Sequence, residues 1–170
     1  DASTGRRWRP SIRSVAAPVS GDQADTGSLG LPTDGQYHAF DFWNQTYMGI
    51  LDGRGALSGD LWSGQALVYS VRRAADHPQV VGTNRHVMCG MMELRDHSWD
   101  GDSKRLSFTA DLIAGEPMCV TIAIPKGMGY RAVDVTCDSA EATLEPSDHC
   151  VRVIAKSEAN VTCEICVRFE

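Results

Sequence analysis

Apolar residues in this chain recur with the period of extended backbone. The clearest case is Val161–Phe169, where Val161, Cys163, Ile165, Val167 and Phe169 alternate with Thr162, Glu164, Cys166 and Arg168. Successive side chains of a strand point to opposite faces, so this pattern predicts a half-buried strand with its apolar side inward. Similar short runs occupy 91–99, 106–113, 118–124, 130–137 and 150–156, and turn residues such as Asp100-Gly101, Gly115 and Pro146-Ser147 separate them. Strands at that spacing predict a β-sandwich. Earlier, residues 37–43 place Tyr37, Ala39, Asp41 and Trp43 on one face, and His38, Phe40 and Phe42 on the other. Large groups on both sides predict a strand that is covered on both sides. Asn44-Gln45 is a tight-turn signal leading into a strand over 46–51, and 66–71 predicts a further strand with 72–78 as its exit loop. Asp52-Gly53 and Ser58-Gly59 mark other turns.

No stretch has the pattern of a three-turn helix, so the expected fold class is all-β. It comprises two antiparallel β modules, 1–82 and 83–170, the second an immunoglobulin-like β-sandwich, with the passage between them at 76–82. Residues 1–35 are rich in Ser, Gly, Ala and Asp and punctuated by Pro10, Pro18 and Pro32. They read as an irregular segment, with one short strand over 8–16 and loop over 20–30.

Composition narrows the function classes. A 42% hydrophobic content in 170 residues suffices for packed cores and is too high for a disordered chain. The net charge of −6 argues against a nucleic-acid surface, which needs a basic stripe. Residues 1–35 balance four arginines (Arg6, Arg7, Arg9, Arg13) against four aspartates, so the net negative charge lies beyond them. A basic arm is conceivable there, but a solvated leading segment is the simpler expectation. No apolar run approaches the roughly 20 residues of a membrane helix, so no membrane partner is expected. The chain begins with Asp and shows no signal-peptide core, which suggests a processed or excised piece of a longer protein.

The candidate chemistry is sparse. Cys163-Glu-Ile-Cys166 has the CxxC form, but residues three apart on a strand face opposite ways, and no second pair with matched spacing completes a zinc knuckle. The six cysteines are therefore expected to be structural thiols, with one or more disulfides as the alternative, and no metal or cofactor is expected. Unpaired cysteines and the lack of a signal peptide favour a reducing, cytoplasmic compartment. The five histidines are dispersed; His86 with Cys89 supplies only two ligands, and His86 beside Arg85 suits a hydrogen bond at a domain junction. No nucleophile elbow or phosphate loop is present. Asp41 is the most tempting carboxylate, yet glycoside hydrolysis needs two carboxyl groups about 5 Å or about 6.5–9.5 Å apart, and no partner is evident. No catalytic residue is assigned. Trp43, Trp62 and Trp99 could stack on sugar rings, though Trp43 and Trp62 suit core anchors. Trp99, next to the Asp100-Gly101 turn, is the best candidate for exposure.

The order Leu29-Gly-Leu-Pro32, then Tyr37-His-Ala-Phe40-Asp41-Phe42-Trp43, Tyr47-Met-Gly, and Asp76-His77-Pro78-Gln-Val-Val-Gly-Thr-Asn-Arg85-His86 followed by Gly90 carries a resemblance. It resembles the region after the catalytic (β/α)8 barrel in α-galactosidase-like, melibiase-like glycoside hydrolases. The likeness covers about 29–90 and leaves a generic sandwich beyond. A barrel needs about 250 residues, so the family's catalytic carboxylates have no counterparts here. The resemblance implies a non-catalytic accessory region that supports a barrel of the same parent chain and exposes an apolar patch near 37–43. One alternative is a carbohydrate-binding module holding glycans on coplanar exposed aromatics, Trp99 and Tyr130, flanked by Asp100 and Arg131. Another is a protein-interaction or surface-attachment domain.

Overall fold

The computed structural model describes residues 24–25, 27, 29–57, 66–147 and 149–170. The expected strand at 8–16, the Ser58-Gly59 turn and Trp62 lie outside the described residues. Among the described residues the chain is all-β, and no helix is long and apolar enough to cross a membrane. The strands are β1 (Ala24–Asp25), β2 (Tyr37–Asp41), β3 (Thr46–Leu51), β4 (Ala56–Leu57), β5 (Tyr69–Arg73), β6 (Gln79–Thr83), β7 (Leu94–Asp100), β8 (Arg105–Leu112), β9 (Met118–Ala123), β10 (Ala132–Cys137), β11 (Glu141–Pro146), β12 (Cys150–Lys156) and β13 (Val161–Phe169).

Two four-stranded antiparallel sheets form the larger part. One has the order β10-β13-β8-β7 and the other β11-β12-β9-β6. Their facing sides share one core, in which Leu106, Phe108, Ala110 and Leu112 of β8 and Cys163, Ile165, Val167 and Phe169 of β13 meet Met118, Val120 and Ile122 of β9 and Val151, Val153 and Ala155 of β12. The alternation along β13 is realised as read, with Cys163 buried and Cys166 on the opposite, half-buried face. By contrast β9 is buried along its whole length, because its outer face is covered as well.

The cover includes a three-stranded antiparallel sheet, β3-β2-β5. Its middle strand β2 is buried at every position. Ala39 packs with Leu29 and Leu57, while Phe40 and Phe42 pack against Val81, Cys89 and Ala123 on the outside of the sandwich. A bulge in β6 makes this contact possible: Val80 and Gly82 pair with neighbouring β9 residues and Val81 is the extra one. Val80 then joins the sandwich core while Val81 joins the outer cluster. β1 and β4 form a separate two-stranded ladder.

Several boundaries differ from the sequence expectation. The stretch 76–82, expected as a passage, contains most of β6, an edge strand hydrogen-bonded to β9. Its pairing is long-range and its apolar run too short to stand out. β11 has no counterpart in the sequence pattern, because Glu-Ala-Thr-Leu-Glu-Pro offers only Ala142 and Leu144 to the core. Arg72 and Arg73 continue β5 instead of leaving it, since their backbone pairs with His38 and Tyr37. β7 starts at Leu94 rather than Met91 and runs through Trp99, as expected, to include Asp100.

Candidate functional site

The stretch 77–86 is occupied with joining sheets. The His77 ring stacks on Trp99 with centroids 5.4 Å apart and planes 6° from parallel, and Pro78 is buried. The Gln79 amide oxygen accepts the Ala75 N–H at 2.7 Å, and the buried Thr83 hydroxyl donates to the Glu93 carboxyl. Asn84 spans to the start of β9, accepting the Cys119 N–H at 2.8 Å and donating to the Pro117 carbonyl at 3.1 Å. Arg85 pairs with the Glu116 carboxylate and also donates to the Glu116 carbonyl at 2.6 Å. His86 is exposed and accepts the Met88 N–H at 3.3 Å.

Where the three-stranded sheet meets the sandwich, polar groups collect around Arg72. The β2–β5 register sets Arg72 opposite His38, so both project from one face. His38 shares a 2.8 Å hydrogen bond with the Tyr47 hydroxyl through Nδ1. Burial first, and then the Arg72 charge, lower the His38 pKa to about 4, although the Gln79 side chain opposes the shift. His97 reaches the same region because a bulge between Arg95 and Ser98, with Asp96 at a φ of 52°, turns it inward against Phe108. Burial and Arg72 likewise lower its pKa to about 4. Both imidazoles are thus neutral at pH 7. Burial and the nearby Glu93 push the Cys89 thiol up to about 11, so it is a poor nucleophile. This cluster is built for packing polar groups between layers; it holds no activated thiolate or imidazolium.

The aromatic group expected to stack on sugars is a different arrangement from the one anticipated. Trp99 is half-buried and packs on the sandwich core, with His77 against one face and Phe169 tilted at 64°. Tyr130 meets Trp99 edge-on at 83°, so the two rings are not coplanar. Large aromatics at a sheet end find apolar neighbours across the layers, and here His77 takes up one face of the indole. Asp100 is exposed and caps its own turn, accepting the N–H groups of Asp102 and Ser103 at 3.0 and 3.3 Å and the Ser103 hydroxyl at 2.5 Å. Those bonds lower its pKa. Arg131 pairs with Glu170 at 3.1 Å.

In the 40–43 stretch, Phe40 and Phe42 are core residues. Asp41 closes the β2–β3 turn, its two carboxylate oxygens accepting the Asn44 N–H at 3.1 Å and the Asn44 amide at 2.8 Å. Trp43 is exposed instead of serving as a core anchor, and lies edge-on to Phe42 at 5.0 Å.

The six cysteines are all free. Cys119 accepts a 3.1 Å hydrogen bond from the Arg152 guanidinium. Cys137, Asp138 and Cys163 have donor atoms within 4.8 Å of one another, a cluster that residue spacing along the chain does not announce. Burial, and then its hydrogen bond to Cys137, push the Cys163 thiol up to about 12. Comparison with family models, curated proteins and solved structures returns no match for this chain.

Proposed function

We propose that this chain is the non-catalytic C-terminal accessory region of an α-galactosidase-like glycoside hydrolase, packing against and supporting a catalytic barrel of the same parent protein. The observation that carries the proposal is the β2–β3 hairpin. Its strand β2 is fully buried, yet the hairpin presents Trp43 at 56%, Met48 at 42% and Ile50 at 37% exposure. Met48 is the extra residue of a bulge, opposite no β2 residue, with Gly49 at a φ of 97° beside it. Large apolar groups held out on one hairpin suit a surface covered by another domain. The engagement of 77–86 in sheet joining also favours a supporting role over a chemical one.

The likeness of the sandwich to immunoglobulin domains is one of two-layer architecture: β6 and β7 open opposite sheets here, whereas the first two strands of the immunoglobulin order share one. The carbohydrate-binding alternative draws no support from Trp99 and Tyr130, which are perpendicular.

Two measurements test the proposal. The reading frame around the coding sequence should encode a few hundred residues of alternating strand and helix ahead of Asp1. The purified chain should leave a chromogenic α-galactoside intact. Turnover by this chain, or a frame with no barrel, refutes the assignment.

A further inference from the structure

We propose that Cys137, Asp138 and Cys163 form a binding site for a thiophilic divalent cation, zinc by chemical preference, with a fourth position left to water. The antiparallel register of β10 and β13 sets Cys137 opposite Ile165, so Cys163 lies on the diagonal, two residues further along. Asp138 follows at the end of β10 and is held by Glu164, whose N–H donates to Asp138 Oδ1 at 3.1 Å. The Asp138 N–H in turn donates to the Glu164 carbonyl at 3.3 Å. Backbone bonds of this kind orient a ligating carboxylate from outside the metal shell.

The two sulfurs and a carboxylate oxygen all lie within 4.8 Å of one another. Tetrahedral zinc, with bonds of about 2.3 Å to sulfur, spaces two thiolates about 3.8 Å apart, so small side-chain rotations close the site. Two thiolates and one carboxylate are a donor set for zinc and its soft neighbours, not for calcium or magnesium. Cys163 is buried, Cys137 half-buried and Asp138 exposed, so the cluster opens outward and leaves room for a water ligand. On binding, each thiol gives its proton to solvent and the cation takes the place of both. A disulfide is the competing fate of these sulfurs. Diagonal partners sit with Cα atoms about 7–8 Å apart, beyond the 4.4–6.8 Å or so that a disulfide spans, and the register therefore favours a metal.

The test uses the whole chain, reduced and stripped of metal, titrated with Zn²⁺ against a chromophoric chelator and with Co²⁺ as a spectroscopic probe. One equivalent should bind, with Co²⁺ giving thiolate charge-transfer absorption and tetrahedral visible bands. Cys137→Ser should weaken Zn²⁺ binding by about 100-fold or more, and Asp138→Asn by about 10-fold or more. Cys166→Ser, on the other face of β13, should change nothing. Asp138 is exposed, so its variant tests the site even if Cys137→Ser fails to fold. The proposal is overturned by any of three results: no stoichiometric binding, binding that survives both Cys137→Ser and Asp138→Asn, or a Cys137–Cys163 disulfide forming in place of metal binding when a low-molecular-weight disulfide is supplied.

Discussion

Gly82→Ala is the sharpest probe of how the three-stranded sheet sits on the sandwich. An ideal Cβ at Gly82 would lie 2.3 Å from Cδ1 and Cε1 of Phe40 and 2.8 Å from Cγ. Carbon atoms in contact prefer about 3.5–4.0 Å, so the ring must retreat by more than about 1 Å. It has nowhere to go: Phe40 is fully buried among Phe42, Val81, Cys89 and Ala123. Overpacking of this kind costs about 1–3 kcal/mol, and the depth of the clash places Gly82→Ala at the upper end. Phe40→Leu shortens the offending ring, so the double variant should recover about 1–2 kcal/mol of the sum of the single costs. Urea unfolding of the wild type, both single variants and the double variant, followed by far-UV circular dichroism, completes the cycle. A neutral Gly82→Ala, or single costs that simply add, would refute the face-to-face approach of β2 and β6.

Acidification should destabilise the fold between pH 6.5 and 4. The folded pKa of His38 and of His97 is lowered from 6.5 to about 4, so as pH falls the unfolded chain takes up protons first and stability drains away, by about 2 kcal/mol for each histidine at pH 5. Urea midpoints at pH 7.5 and 5.0 should differ, and the difference should shrink in His38→Asn; a midpoint indifferent to pH would contradict neutral buried imidazoles. Thr83→Val removes the hydroxyl that donates to the buried Glu93 carboxyl and should cost about 1–3 kcal/mol, measurable by the same unfolding assay. Ile165→Ala opens a void at the centre of the sandwich core and should cost about 2–5 kcal/mol, whereas a loss below 1 kcal/mol would mean that β13 is not central.

What residue order determined by itself was the kind of structure and the alternation within it. Strand period along β13 and the two-faced apolar pattern of β2 are local properties, set by which side of an extended backbone each side chain occupies. The same rule separated Cys163 from Cys166 without any coordinates. Other features depended on which strands lie side by side, and backbone pairing across long separations leaves no periodic trace in sequence. The β6–β9 ladder turned an expected connection into a sandwich edge. The β10–β13 register brought Cys137 to Cys163, twenty-six residues away in sequence, though spacing along the chain argued against a zinc knuckle. Packing across layers rotated Tyr130 perpendicular to Trp99 and laid His77 on that indole, which took from Trp99 the exposure its neighbouring turn had suggested. The bulges that turn His97 inward and leave Met48 outside were equally hidden, because one extra residue in a ladder is defined only by the strand opposite it.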